Sequence, residues 1–376
     1  MASPLASSSR LHDPNFPPAL RITSSRAPQQ AGDAADADAA DDIYADEADI
    51  AAYGIAGRIW EAAYLLRLYL RPSHPLLHFS PPCPLFDAAP RLVELGAGVG
   101  YAGLHLARQL SSHNIGGQLV LTDLHNVLPL LQRNVGRADV PSSTAVEVMP
   151  LPWGDASCAR QVRQHLESGT QGKAALTHIL CSDLVYFPEL LAPLLRSLLH
   201  LTDCASGSGP MVVIAYKIRS LEKEAPFWHA FGTWFDFEPV LCRRRCKDGE
   251  EWERFGAKMS HFRSAHETSA AQSRQTEPQR EGEEAAEEEE DAPDQYFLFL
   301  ASRRPDTQGA LAPSNDAQLL QGWRIWPTAK PSSGAADPPS GEREAEQESR
   351  EAASRCEMGS GGERFEELLF LALNGG

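Results

Sequence analysis

Three glycines at alternate positions are the residues whose spacing points most directly to chemistry. Gly96, Gly98 and Gly100 follow a short apolar run in RLVELGAGVGYAG. Without side chains at these positions, a ligand can approach the backbone closely. The apolar run predicts a buried strand, and the residues from Leu104 to Leu110 continue at helical spacing. The amides at the start of that helix then point toward the turn, which predicts a nucleotide-type pocket.

The same glycines are compatible with two kinds of ligand. Gly98, Gly100 and Gly103 satisfy the pattern GxGxxG, so a dinucleotide-binding oxidoreductase is one hypothesis. In a dinucleotide fold, however, the first glycine directly ends the strand, whereas Gly98 lies beyond Gly96. Glu94 also places a carboxylate inside the strand end. The pattern therefore favours a ligand without pyrophosphate, such as S-adenosylmethionine, whose amino-acid tail needs a tight backbone turn.

Two further positions carry polar groups at strand ends. QLVLTD predicts a second strand that ends in Asp123, where an acid roughly 20 to 30 residues beyond the glycines can hold ribose hydroxyls. A helix-capping or solvent-facing aspartate is the alternative. Another predicted strand runs into SDLVYFPE, so Asp183 and Tyr186 lie at its carboxyl end, the edge where open α/β sheets bind ligands. A capped helix start and a core aromatic are the alternative for this pair.

Two tryptophans stand near these motifs. Trp60 lies in YGIAGRIWEAAYLLRLYL, one step off the apolar stripe of a helix that Pro72 ends. Trp153 lies in LPWG, on a predicted loop where packing alone less often demands a large aromatic. For Trp60, a core aromatic and a lid over the pocket are both compatible with the sequence.

Alternating strands and helices must position all these residues. This alternation continues through AVEVMPLPWG, LTHILCSDLVYFPELLAPLLRSLLHL, MVVIAYKI and EKEAPFWHAFGTWF. It predicts an α/β fold with a doubly wound, mostly parallel sheet. FDFEPVLCRRR and DQYFLFLASRR predict an antiparallel hairpin that closes the sheet. The Pro-rich stretch PSHPLLHFSPPCP is predicted to be a loop, and residues 155–173 a polar surface helix or loop.

Composition divides the chain into one folded domain and several low-complexity segments. Residues 1–48 are rich in Ser, Pro, Ala and Asp and are predicted to be disordered. The domain is predicted over residues 49–303, with a disordered acidic insertion at about 264–293. Residues 304–362 are again predicted to be disordered, whereas the short segment 363–376 is apolar enough to dock on the domain as either strand or helix.

Charge and cysteine content restrict the class of protein. The 376 residues include 34 Lys and Arg against 51 Asp and Glu, a net charge of -17, which argues against nucleic-acid and anionic-membrane partners. The seven cysteines form no CxxC pair, and the twelve histidines form neither HxH nor HExxH, so no metal site is predicted. Without a signal or membrane-spanning pattern, we expect a cytoplasmic protein, with the nucleus as a second compartment, and a monomer.

Five separated motifs together resemble a known family. IWEAA, VELGAGVGYAG, LTDLHNVLPLL, LPWG and SDLVYFPE are similar, in this order, to the seven-stranded S-adenosylmethionine-dependent methyltransferases that modify protein lysines, the methyltransferase-like-21 group of lysine methyltransferase family 16. The resemblance covers about residues 53–303. It implies a class I, Rossmann-like fold, S-adenosyl-L-methionine as cofactor, and a protein substrate such as a translation factor or chaperone.

The resemblance also implies roles for individual residues. The implied cofactor-binding residues are Trp60, Glu94, Gly96, Ala97, Gly98, Asp123, Trp153 and Ser182. Asp183 and Tyr186 occupy the family's DxxY motif, which is associated with the substrate lysine. Asp183, if ionised, can attract the ammonium and raise its pKa, so it is predicted to orient the lysine rather than to act as a strong base. Tyr186 offers a π face to a cation and a hydroxyl to the amine.

Two other functions remain compatible with these motifs. A methyltransferase acting on a small-molecule amine would have the same cofactor half. A binding or scaffold protein could retain the fold without turnover. The long low-complexity segments are not part of the family's compact domain, and substrate choice can depend on them.

Overall fold

Strands and helices alternate along most of the chain. The computed structural model describes residues 15, 22–23, 46–168, 175–203, 209–245, 251–258, 295–327 and 354–374. Within these residues the strands are β1 (Leu77–Ser80), β2 (Arg91–Leu95), β3 (Gly117–Asp123), β4 (Thr144–Pro150), β5 (His178–Ser182), β6 (Met211–Lys217), β7 (Phe235–Pro239), β8 (Leu241–Arg244), β9 (Glu253–Arg254), β10 (Tyr296–Arg303), β11 (Trp323–Pro327) and β12 (Ser354–Met358). The helices are α1 (Asp46–Tyr53), α2 (Glu61–Tyr69), α3 (Tyr101–Ser112), α4 (Leu128–Arg137), α5 (Ala156–Ser168), α6 (Pro188–Thr202), α7 (Leu221–Trp234), α8 (Asp316–Leu320) and α9 (Arg364–Asn374).

Seven strands form one sheet in the order β4-β3-β2-β5-β6-β10-β7. The strands from β2 to β6 are parallel, and β10 is antiparallel to both of its neighbours. The predicted doubly wound α/β fold with an antiparallel terminal hairpin is therefore confirmed. The strand order reverses between β2 and β5, and a crevice at the carboxyl ends of strands is expected at such a switch point.

Helices cover both faces of this sheet. α5, α6 and α7 pack on one face and α2, α3 and α4 on the other. Along β2, Val93 and Leu95 contribute to the first layer, whereas Leu92 contributes to the second. Because a parallel strand is buried on both faces, it appears in the sequence as a nearly continuous apolar run. This burial holds the ends of β2 and β5 at fixed places along the same edge.

The regions around β1 and β8 differ from the sequence-based prediction. PSHPLLHFSPPCP, predicted to be a loop, contains β1, and FDFEPVLCRRR divides into β7 and β8. β1, β8 and β9 form a separate three-stranded antiparallel sheet, with Leu77 opposite Arg244. The partner of β1 lies far away in sequence, so the local proline-rich composition could not indicate this pairing.

The prediction of disorder over residues 304–362 is wrong for the part that the structure describes. This part contains α8 and the antiparallel pair β11–β12, in which Trp323 lies opposite Met358. Ile325 is only 4% exposed. The apolar residues of this segment are concentrated in the short stretch WRIWP. Their burial stabilises local structure even though the average composition of residues 304–362 is polar.

Helices form in three segments that the sequence left undecided or predicted to be disordered. α9 shows that the apolar C-terminal segment is a helix, and Phe365 and Leu368 are buried against the domain. α5 occupies most of the predicted polar stretch 155–173. α1 begins inside the segment predicted to be disordered at the N-terminus, whereas the acidic insertion at about 264–293 lies outside the described residues.

Candidate functional site: a glycine-lined cavity at the sheet edge

The turn after β2 is shaped by glycines in left-handed conformations. Gly96 has φ +53° and Gly98 has φ +55°. A Cβ atom at Gly96 would lie 2.9 Å from the Trp153 ring, and one at Gly98 would lie 2.9 Å from the carbonyl oxygen of Ala56. The Ala97 amide donates to Thr122 O at 2.9 Å, which fixes the turn on β3. Glycine is therefore required here for both conformation and space.

Two buried carboxylates support this turn. Asp123 accepts hydrogen bonds from the amides of Gly98 at 2.8 Å and Leu124 at 2.7 Å. Burial raises the pKa of Asp123 to about 6, although both amides oppose this shift. Glu94 accepts from the Gly103 amide at 3.0 Å, and burial raises its pKa to about 8 against the effect of that bond. Two acids that titrate close to neutrality therefore lie directly beside the glycine turn.

An N-terminal segment covers the turn from the other side. A 3₁₀ turn at Gly54–Gly57 brings Ala56 against Gly98. Trp60 follows this turn, and its indole Nε1 donates to the carbonyl oxygen of Ile55 at 2.9 Å. The Arg58 guanidinium lies 4.4 Å from the centre of the Trp60 ring. Residues 54–61, which we call the cover segment, therefore form one wall of the site.

Asp183 has an unusual backbone and a buried ion pair. Its φ is +62°, its amide donates to Ala215 O at 2.8 Å, and its carboxylate is fully buried. Arg219 donates to Asp183 from two nitrogens, to Oδ1 at 2.7 Å and to Oδ2 at 2.5 Å. Burial opposes the charge of Arg219, but the carboxylates of Asp183 and Glu61 raise its pKa above the ordinary value. Asp183 thus already has a cationic partner.

Ser182 and Tyr186 stand on either side of Asp183 in sequence. The Ser182 hydroxyl is buried and has no hydrogen-bond partner among the described residues. Burial raises the pKa of Tyr186, so its phenol keeps its proton at neutral pH. Its ring lies 6.3 Å from that of Trp153 and 4.8 Å from that of Phe187, in edge-on contacts. The end of β5 therefore presents two hydroxyls and an aromatic wall.

These groups surround a single cavity of about 550 Å³. Every site residue predicted from the sequence lines it: Trp60, Glu94, Gly96, Ala97, Gly98, Asp123, Trp153, Ser182, Asp183 and Tyr186. The volume lies within the range of small-ligand and cofactor sites. Residues from strands far apart in sequence are thus brought together at one edge of the sheet.

The cavity also contains residues that the sequence did not single out. Arg219 and Asn15 line it, and the backbone oxygen of Asn15 accepts from the Ile55 amide at 2.9 Å. Arg219 comes directly after the β6 stretch MVVIAYKI, so its position at the carboxyl end of a parallel strand was a usable signal. Asn15 lies in a Pro- and Ser-rich stretch without any such signal.

Two other kinds of feature are absent from the part of the chain that the structure describes. Among the residues that the structure describes, no group of three or more His, Cys, Asp or Glu side chains could hold a metal ion. Within the same residues, none of the helices combines the length and the apolar character needed to cross a bilayer.

The fold and the cavity define the class of protein. A doubly wound sheet with a glycine turn and acidic groups at its switch point is a Rossmann-like ligand-binding architecture. Residues 41–232, just over half of the chain, match the family model described as lysine methyltransferase. The chain therefore belongs to the lysine methyltransferase family, and the resemblance found in the sequence motifs is confirmed.

Curated relatives agree with this family. Protein N-lysine methyltransferase METTL21A of Mus musculus is 31% identical over 176 residues, which are 46% of this chain and 66% of that protein. Protein-lysine N-methyltransferase EFM6 of Saccharomyces cerevisiae is 28% identical over 167 residues, 44% and 65% of the two chains. EEF1A lysine methyltransferase 3 of Mus musculus is 29% identical over 167 residues, 44% and 58%. The matched regions span less than two thirds of the length of each relative.

Proposed function

We propose that this protein transfers a methyl group from S-adenosyl-L-methionine to a lysine side chain of a protein substrate. The observation that carries the proposal is the shared cavity: the glycine turn after β2 and the Asp183–Tyr186 motif after β5 line the same space. Membership of the lysine methyltransferase family supports the reaction class. The names of the relatives support a protein acceptor.

The residues of the cavity fit S-adenosylmethionine. The turn at Gly96 and Gly98 leaves room for a ligand against the backbone, and the buried Ser182 hydroxyl is available as a hydrogen-bonding group. Each oxygen of Asp123 accepts one amide, which leaves capacity for hydroxyl donors such as those of a ribose. The residues proposed to hold the cofactor are Trp60, Glu94, Gly96, Ala97, Gly98, Asp123, Trp153 and Ser182.

The chain would contribute mainly positioning and exclusion of water. When bound, S-adenosylmethionine supplies a methyl group on a sulfonium that an unprotonated amine can accept by in-line displacement. Trp60 and Trp153 line the cavity with apolar ring surface. Asp183 is occupied by Arg219, so we assign it to holding the acceptor side of the site in shape rather than to proton removal. The Tyr186 hydroxyl is a protonated group that can orient the amine.

The names of the relatives support a protein as the substrate. One of them carries EEF1A in its name. We propose a translation factor or a chaperone as acceptor and the cytoplasm as the site of action, with the nucleus as a second compartment. We further propose that the enzyme is a monomer and that neither nucleic acid nor a membrane is among its partners.

A labelling experiment with the full chain tests the proposal. The purified protein is incubated with cell extract and S-adenosylmethionine labelled in its methyl group, and proteins are separated from small molecules. We expect label on protein, released as methylated lysine after hydrolysis. Label confined to small molecules would instead indicate an amine methyltransferase. Binding of the cofactor in calorimetry without any label transfer would indicate a scaffold.

A further inference from the structure

Arg219 connects two walls of the cavity that are distant in sequence. It lies on the loop between β6 and α7. On one side it forms the two-nitrogen ion pair with Asp183. On the other side its guanidinium lies 3.9 Å from Oε2 of Glu61 and 5.5 Å from the centre of the Trp60 ring. One side chain thus contacts both the cover segment and the Asp183–Tyr186 motif.

The contact with Asp183 holds a backbone that a non-glycine residue rarely adopts. Left-handed φ values cost free energy unless the surroundings maintain them. The planar guanidinium binds both carboxylate oxygens in a fixed geometry, which a lysine cannot reproduce. Because Asp183 precedes Leu184 and Tyr186 on the same short stretch, its orientation sets where the Tyr186 ring and hydroxyl lie.

The contact with the cover segment is electrostatic and aromatic. Glu61 is paired with Arg58 at 2.5 Å, and the guanidinium groups of both arginines lie near the Trp60 ring. Cations near an indole face are stabilised by its quadrupole. Arg219 therefore binds the start of α2 through both the carboxylate and the ring, at the point where the cover segment ends.

The loop that carries Arg219 is itself fixed. Glu224 accepts from the Arg219 amide at 3.3 Å and from the Ser220 amide at 3.1 Å. The Tyr216 hydroxyl also donates to Glu224, which ties the first turn of α7 to β6. A fixed loop lets the guanidinium transmit a displacement of one wall to the other.

We propose that Arg219 is a positioning residue that couples the cover segment to the conformation of Asp183, so that the cofactor pocket and the acceptor position are completed together. The proposal rests on the proposed methyltransferase function, because it concerns the assembly of that same site. It assigns a role to a residue outside the glycine turn and the DxxY motif.

Hydrogen exchange of the cofactor-free full chain tests the coupling without any turnover. In Arg219→Gln we expect the amides of residues 54–61 and those of residues 183–187 to exchange faster together, by about tenfold or more. The matched control is Arg355→Gln, which removes an exposed guanidinium that lies 3.9 Å from Glu357 on β12, outside the cavity lining, and should change neither segment. Faster exchange of only one segment, or of neither, would overturn the coupling.

Two further variants separate coupling from loss of the fold. Arg219→Gln leaves the Asp183 carboxylate buried without its cation, so the double variant Asp183→Asn/Arg219→Gln removes the unpaired charge as well. We expect the double variant to melt cooperatively and still to exchange faster in residues 54–61. Arg219→Lys should restore part of the protection of that segment but less of that in 183–187, since it keeps the charge without the two-nitrogen geometry. Equal restoration of both segments would contradict the role of that geometry.

Turnover distinguishes this inference from the proposed function. In Arg219→Gln we expect kcat to fall by about 100-fold with a smaller change in KM for the cofactor, because a misplaced acceptor site slows the step after binding. If wild-type protein transfers no methyl group, the proposed function fails, and the exchange data on the cofactor-free chain still decide the coupling. If wild-type protein is active and Arg219→Gln retains its kcat, the coupling fails and the function stands.

Discussion

The Glu94 carboxylate lies where a side chain at position 103 would have to be. Its Oε2 atom accepts from the Gly103 amide at 3.0 Å and lies 2.2 Å from the place of a Cβ atom on that residue. Helix α3 thus approaches β2 closely enough for the Gly103 backbone amide to donate a hydrogen bond to the buried Glu94 carboxylate. The third glycine of the GxGxxG match therefore serves close helix–strand packing, here against a buried carboxylate.

Gly103→Ala should destabilise the fold although alanine is the better helix former. In an open helix the change stabilises by up to about 1 kcal/mol. At Gly103 the methyl group would displace Glu94, so we expect a loss of about 2 kcal/mol or more in the free energy of unfolding by urea. Gly136→Ala in α4 is the matched control, since no atom lies within 4 Å of its Cβ position and it should be neutral or stabilising.

Glu94→Gln should change how stability depends on pH. Burial raises the pKa of Glu94 to about 8 in the folded protein, so the folded state holds a proton that the unfolded chain releases near pH 4.5. Wild-type stability should therefore fall as the pH rises from about 4.5 to about 8, where this contribution levels off. Glu94→Gln stays neutral and should show a weaker fall. Urea unfolding at several pH values measures the difference, and parallel slopes would contradict it. Asp123, with a pKa near 6, contributes in the same direction up to that pH in both proteins.

Asp123→Asn should weaken cofactor binding more than it weakens the fold. The amide oxygen can still accept one of the two backbone hydrogen bonds, but the charged acceptor is lost. Hydrogen bonds to charged groups contribute about 1.5–3 kcal/mol, so we expect calorimetry to show a Kd for S-adenosylmethionine raised roughly 10- to 100-fold.

Asp155→Asn is the control for Asp123→Asn. The exposed Asp155 accepts hydrogen bonds from the Ser157 and Cys158 amides at the start of α5. Like Asp123 it therefore binds two backbone amides, but it lies outside the cavity lining. It should leave cofactor affinity unchanged. An unchanged Kd in Asp123→Asn itself would exclude this acid from the cofactor site.

Tyr186→Phe tests the proposed acceptor side. The change keeps the ring contacts with Trp153 and Phe187 and removes only the hydroxyl. We expect kcat to fall by about 10- to 100-fold while the cofactor Kd stays near the wild-type value, since one hydrogen bond that orients the amine is lost. Tyr64→Phe on α2 removes a hydroxyl outside the cavity lining and should retain full activity. A normal kcat in Tyr186→Phe would remove the hydroxyl from the proposed mechanism.

Local patterns in the sequence predicted the main sheet and the lining of the cavity. Asp123 and Asp183 were recognised because each directly follows an apolar strand signal, and the carboxyl ends of parallel strands meet at one edge. The glycine turn was recognised because its residues are contiguous. Trp60 and Trp153 lie on separate segments, and only the family resemblance connected them to the glycine turn.

Long-range contacts account for what the sequence did not predict. The pairing of Asp183 with Arg219 depends on β5 and β6 being neighbours, and nothing local to either residue indicates it. The β1–β8 pairing crosses more than half of the domain, and the proline-rich composition around β1 concealed it. WRIWP in β11 was missed because its few apolar residues were averaged with the polar residues around them.

Phe365→Ala should show that the C-terminal helix is part of the folded domain. The Phe365 ring is 2% exposed and stacks on Trp228 of α7 at 4.8 Å with an angle of 12° between the planes. Truncation of a buried phenylalanine costs about 3–5 kcal/mol, which we expect as a lower free energy of unfolding. Leu371→Ala on the same helix is the control, because this side chain is 64% exposed and should contribute less than about 0.5 kcal/mol. Equal stability of the two variants would mean that α9 contributes little to the fold in solution.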